Sequence, residues 1–111
     1  MEAFEKTLEY YYTFSGQCPY REWFYSLKSE NDRDIIRARL DRVTKGHFGD
    51  CDPVGDGVLE LRIHEGPGFR IYLARAEKTI VLLLIGGTKK KQSKDIALAK
   101  AFWAQHRRKL K

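Results

Sequence analysis

The chain has 111 residues, with 42% hydrophobic, 13% aromatic and 32% charged side chains, the profile of one globular domain spanning 1–111 and too short for two. Two cysteines exclude a disulfide framework and offer no zinc-type CxxC pair, so no metal or other cofactor is expected. The acidic N-terminus and the absence of an apolar run of roughly 18 residues argue against secretion and membrane spanning, and place the protein in the cytoplasm. The formal charge of +6 is unevenly spread: residues 1–85 hold 12 Lys/Arg against 14 Asp/Glu, whereas residues 86–111 hold 9 Lys/Arg against Asp95 alone. A basic end of this kind attracts polyanions, nucleic acid first, although an acidic protein partner or a plain solvated helix fits the same charge.

Residues 6–14 are rich in β-formers and predict a strand. Gly16 and Pro19 break it, and Pro19 suits the first turn of a helix carrying Tyr20, Trp23, Phe24 and Leu27 at helical spacing. Ser29 reads as an N-cap with Asp32 three residues on, followed by an apolar stripe of Ile36, Leu40 and Val43 joined by Ile35. Gly46 is a helix stop. The turn-rich stretch 46–57 predicts a loop. The period then becomes two: in 58–64, Leu59, Leu61 and Ile63 alternate with Glu60, Arg62 and His64. Residues 65–68 form a turn, after which Phe69, Ile71 and Leu73 alternate with Arg70 and Tyr72. Residues 79–85 make an uninterrupted apolar run, expected of a strand covered on both faces and ended by Gly86-Gly87. Thr88 or Ser93 is the expected cap of a last helix marked by Ile96, Ala99 and Trp103 and widened by Leu98 and Phe102. The order is β-α-α-β-β-β-α, an α+β fold with the helices packed on one antiparallel sheet.

The hairpin places Glu60, Arg62, His64, Arg70 and Tyr72 on one surface. A solvated sheet face accounts for polar residues in general, but these types also suit RNA cleavage without a metal. His64 and Glu60 are candidates to move the protons of the 2′-hydroxyl and the leaving 5′-oxygen, Arg62 and Arg70 to hold the phosphate, and Tyr72 to stack on a base. Lys89, with Lys90 and Lys91, borders that face. The three histidines lie too far apart in sequence for a metal site, and Asp50, Asp52 and Asp56 lack the pattern of a calcium loop.

The segments E-L-R-I, G-P-G-F-R-I-Y and G-G-T-K-K-K-Q-S-K-D-I-A, in that order, resemble the RelE/ParE superfamily of bacterial toxins, in particular its HigB-like, phage Gp49-related branch. The resemblance covers about residues 20–105. It implies a small α+β toxin, neutralised by a cognate antitoxin and forming a toxin–antitoxin heterotetramer, that cuts mRNA on the ribosome as a metal-independent endoribonuclease. ParE-like relatives instead act by binding DNA gyrase. By the same resemblance Arg62, His64, Arg70 and Lys89 match the family's basic site positions, and with Glu60 from the reading of the polar face they make the expected catalytic set. Gln92 and Asp95 match polar positions of the branch, and from the polar face and the basic end of the chain Tyr72, Lys90, Lys91, Gln92, Lys94, Arg107 and Arg108 are expected to contact substrate or ribosomal RNA. The chain departs from RelE-type nucleases at Glu60 and Arg62, where they carry lysines, and it has no equivalent of their C-terminal tyrosine.

Overall fold

A computed structural model describes residues 5–109. The elements run β1 (Thr7–Tyr10), α1 (Pro19–Ser26), α2 (Glu30–Thr44), β2 (Cys51–Gly55), β3 (Val58–Ile63), β4 (Phe69–Glu77), β5 (Ile80–Thr88), a 3-10 turn (Lys89–Lys91) and α3 (Gln92–Lys109). The five strands form one sheet in the order β1-β5-β4-β3-β2, a mixed α+β architecture.

Several local expectations hold. Pro19 opens α1, and the Ser29 hydroxyl accepts the Asp32 amide at 3.1 Å to cap α2. The β3–β4 hairpin pairs Glu60 with Tyr72 and Arg62 with Arg70. Other expectations are corrected. The first strand is only Thr7–Tyr10, because Thr13 and Gly16 fold into a turn that ends it. The sheet is not wholly antiparallel, since β1 runs parallel to β5. Within the expected loop 46–57 lies β2, antiparallel to β3, with a register shift between Pro53 and Gly55. The pair Gly86-Gly87 does not end β5 but lies inside it. A Cβ on Gly86 would meet the Trp23 ring at 2.2 Å, and one on Gly87 would meet Asp95 Oδ2 at 1.9 Å; both glycines admit a neighbour that a side chain would exclude. Neither Thr88 nor Ser93 is a hydroxyl cap: Thr88 precedes the 3-10 turn without a side-chain cap bond, and Ser93 lies inside α3.

Two cores flank the sheet. On one face α1 and α2 bury Tyr20, Phe24, Ile36, Leu40 and Val43 against Leu61, Ile63, Phe69, Ile71, Leu73, Val81 and Leu83. On the other, α3 brings Ala99 and Trp103 onto Val58, Tyr72, Ala74, Leu82 and Leu84, with Tyr11. The apolar run of β5 is thus covered on both sides, as its composition demands.

Candidate functional site

The second face is where the expected active surface lies, and it is not solvated. Glu60 is 1% exposed, Tyr72 0% and Arg70 6%, which corrects the expectation of an open polar row. The reason is α3, whose apolar stripe needs a sheet face to cover and finds this one. Glu60 enters that environment fully partnered. Its Oε1 accepts Arg62 Nη1 at 3.0 Å, and its Oε2 accepts the Tyr72 hydroxyl at 2.9 Å and Gln92 Nε2 at 2.8 Å. Burial and the Glu60 hydrogen bond raise the Tyr72 hydroxyl above the ordinary tyrosine range, so it stays a donor. Gln92 thereby ties the first turn of α3 to β3.

Arg62 is held by three carboxylates. Besides Glu60 it reaches Asp50 Oδ1 through Nη2 at 2.9 Å and Nε at 3.2 Å, and Asp52 through Nη2. These contacts hold its guanidinium strongly protonated and fill the fork that a phosphate would need. Asp50 and Asp52 therefore pair with a cation of the chain itself. Arg70 is buried with Nε unpartnered and only a long 3.5 Å contact from Nη1 to the Phe69 carbonyl. Asp95 is its counterpart on α3, a buried carboxyl with Oδ2 unpartnered over Gly87. Its burial pushes its pKa up, against the pull of Lys91 and Lys94.

His64 has a different setting. It follows the end of β3 with its side chain 72% exposed, and its Nε2 lies 2.6 Å from Asp50 Oδ2. The His64 contact, followed by that of Arg62, holds the Asp50 carboxyl below the usual carboxylate range. A carboxylate at Nε2 favours the proton on that nitrogen and leaves Nδ1 as the ring nitrogen without one. The pair lies beside a depression of about 250 Å³ lined by Arg39, Arg42, Asp50, Arg62, His64 and Glu65, among others. Arg39 anchors its floor by donating to the carbonyls of Arg62, Phe48 and Asp50 at 2.6, 2.7 and 3.0 Å. Arg42 is exposed and has no carboxylate partner among the described residues.

Lys89 is exposed at the same end of the sheet, its amide donating to the Gly68 carbonyl at 2.9 Å. Lys90, Lys91 and Lys94 are exposed close by in sequence around the start of α3. Arg107 and Arg108 are not brought to this cluster. They lie fifteen and sixteen residues along α3 from Gln92, a separation of about 22–24 Å along the axis, and Arg107 stacks over Trp103. The basic end of the chain is therefore two patches. Asp50, Arg39 and Arg42 were not among the residues singled out for the site. A His–Asp contact across fourteen positions has no local sequence signal, because it depends on β2 pairing with β3.

Comparison with known proteins decides the family. The family model described as "Phage derived protein Gp49-like (DUF891)" matches residues 22–107. The chain belongs to this phage-derived family. Its members are, in general, RelE/ParE-like toxins. An uncharacterized protein of Haemophilus influenzae (strain Rd) is 46% identical over 78 residues, covering 70% of this chain and 79% of that protein. Among the described residues no helix is long and apolar enough to cross a membrane.

Proposed function

We propose that the protein is a toxin that blocks translation by cutting mRNA on the ribosome, with His64 as its proton-transfer group. The observation that carries this reading is the exposed His64 ring, oriented through Nε2 by Asp50 at 2.6 Å. Histidine is the side chain most often used to transfer protons, and a hydrogen-bonded carboxylate fixes its tautomer and orientation. In this reaction Nδ1 of His64 takes the proton of a 2′-hydroxyl. The 2′-oxygen then bonds to the adjacent phosphorus, the bond from phosphorus to the 5′-oxygen breaks, and that oxygen takes a proton from solvent. The products are a 2′,3′-cyclic phosphate and a 5′-hydroxyl. Arg42 and Lys89 are the cations at this end of the sheet that are free to meet the phosphate. Glu60, Arg62 and Arg70 act as positioning residues: Glu60 and Arg70 are buried, and the guanidinium of Arg62 is taken up by Glu60, Asp50 and Asp52.

The ribosome supplies the remaining alignment of the RNA. Lys90, Lys91 and Lys94 contact its phosphates, so binding weakens as salt rises. A cognate antitoxin neutralises the protein, and the site's exposure leaves room for one to cover it.

Primer extension on a defined mRNA, with and without translating ribosomes, tests the reading. Cuts that need ribosomes, and that fall roughly 10²-fold or more in His64→Ala, support it. Full cutting by His64→Ala removes the role of His64. The internal engagement of Arg62 and the burial of Arg70 favour a second reading, in which the protein inhibits DNA gyrase by contact alone. Intact mRNA together with gyrase-linearised DNA in a parallel reaction gives the case to that reading.

A further inference from the structure

Strand β1 covers only the first part of β5. Its pairing runs from Thr7 beside Ile80 to Tyr10 beside Leu83. From Ile85 to Thr88, β5 therefore has β4 on one side and no strand on the other. A cleft of about 380 Å³ lies there, lined by Trp23 of α1, by Ile85, Gly86 and Gly87 of β5, and by Lys91 and Asp95 among others. Across the sheet, Gly87 is level with Arg70, and Arg70 with Arg62. The cleft is thus two strand spacings, about 10 Å, from the β3 end that carries His64.

Asp95 is the unusual member of that lining. It is 6% exposed, yet among the described residues neither of its carboxyl oxygens accepts a hydrogen bond and no cation stands within ion-pair distance. Arg70, level with Gly87 on the next strand, leaves its own Nε unpartnered and does not pair with it. A buried carboxyl without partners is costly, and a ligand that brings N–H donors relieves that cost. The torsion of a carboxyl group is broad, so a rotation turns both oxygens toward such a ligand.

We infer that this cleft receives a guanine base of an RNA strand, whose Watson–Crick edge donates its N1 and N2 hydrogens to the Asp95 carboxylate. The inference rests on the reading of the protein as an RNA-cleaving toxin and names the base that its substrate presents beside the cut. Each part of the cleft states a requirement. Two acceptor oxygens call for two neighbouring donors, which guanine alone of the four bases offers on that edge. The partly exposed Trp23 indole and Ile85 give an apolar wall for a flat ring. Lys91 on the rim attracts a polyanion and repels a simple cation such as an arginine side chain. A base joined to phosphates satisfies the carboxylate, the indole and the lysine together.

Binding of the 2′-O-methyl trinucleotides UGU, UAU, UCU and UUU to the full-length folded protein tests it. These RNAs cannot be cut by attack of their own 2′-oxygen, so binding is read apart from cleavage. UGU should bind roughly tenfold or more tighter than the other three and should shift the NMR signals of the Gly86, Gly87 and Thr88 amides and of the Trp23 indole N–H. Inosine in place of guanine lacks the N2 amine and should fall between. Asp95→Asn, of the same size, should bring UGU down to the level of the others. The inference is overturned by equal binding of the four RNAs, by inosine equal to guanine, by a guanine preference that survives Asp95→Asn, or by shifts confined to other residues. It is equally overturned if acetyl-arginine amide, not the RNA, produces those shifts. Guanine-selective binding by a protein that cuts no mRNA would support the pocket and remove the nuclease reading, whereas cutting with equal binding would remove the pocket alone.

Discussion

The two faces of the sheet are built on different principles. Under α1 and α2 the contact is apolar: Ile36 and Val43 meet Leu61, Ile71 and Leu73, all fully buried. Under α3, Leu82, Leu84 and Trp103 share the interface with Glu60, Tyr72, Arg70 and Asp95. The first face gains stability from area and shape alone. The second depends on each polar atom finding its partner, and it succeeds at Glu60 while leaving Arg70 Nε and Asp95 Oδ2 without one. The first face is a foundation. The second fixes how the last strand, the lysine turn and the start of α3 are seated.

Substitutions should separate the two. On the apolar face, Leu61→Ala should cost about 2–5 kcal/mol in denaturant unfolding, through lost burial and the cavity left behind. On the strand that both faces share, Gly86→Ala sets a methyl against the Trp23 ring and should cost about 1–3 kcal/mol. On the polar face, Tyr72→Phe removes one of three donors to Glu60 and should cost about 1 kcal/mol. A larger loss than that of Leu61→Ala would mean that the Glu60 network, not the apolar core, governs stability.

The smallest effect concerns pH. Burial raises the Asp95 pKa in the folded protein above its unfolded value, so the native state holds the extra proton in the window between them. Stability from this group is therefore present below the unfolded pKa and is lost as pH rises through the folded one. Asp95→Asn removes that titration. Thermal melts across the acid range should show a flatter pH profile for the variant. An unchanged profile would mean that Asp95 finds a partner for its charge in solution.

How legible this was depended on how local the cause is. Ser29 and Pro19 announce helix starts through interactions within a few residues. The alternation from Leu59 to Ile63 announces a strand because its period reflects one buried face. Strand β2 stayed hidden because Asp52, Pro53 and Gly55 are turn formers, tolerated here because the strand is an edge. Gly86 and Gly87 read as an end because their reason, the approach of Trp23 and Asp95, comes from distant segments. The apolar run of β5 already required cover on both faces. The same cover necessarily falls on Glu60 and Tyr72, so a solvated polar row and a doubly covered strand were incompatible. The His64–Asp50 contact needed the β2–β3 register, which no periodicity shows.

The central claim is that proton transfer belongs to the exposed His64–Asp50 pair and that the buried Glu60 row only holds the scaffold. Single-turnover cleavage of ribosome-bound mRNA by His64→Ala and Glu60→Gln, each checked to be folded, measures this directly. The account predicts a loss of roughly 10²-fold or more for His64→Ala and a rate within a few-fold of wild type for Glu60→Gln. Retained activity in His64→Ala with a collapse in Glu60→Gln would contradict it and return the chemistry to the face beneath α3.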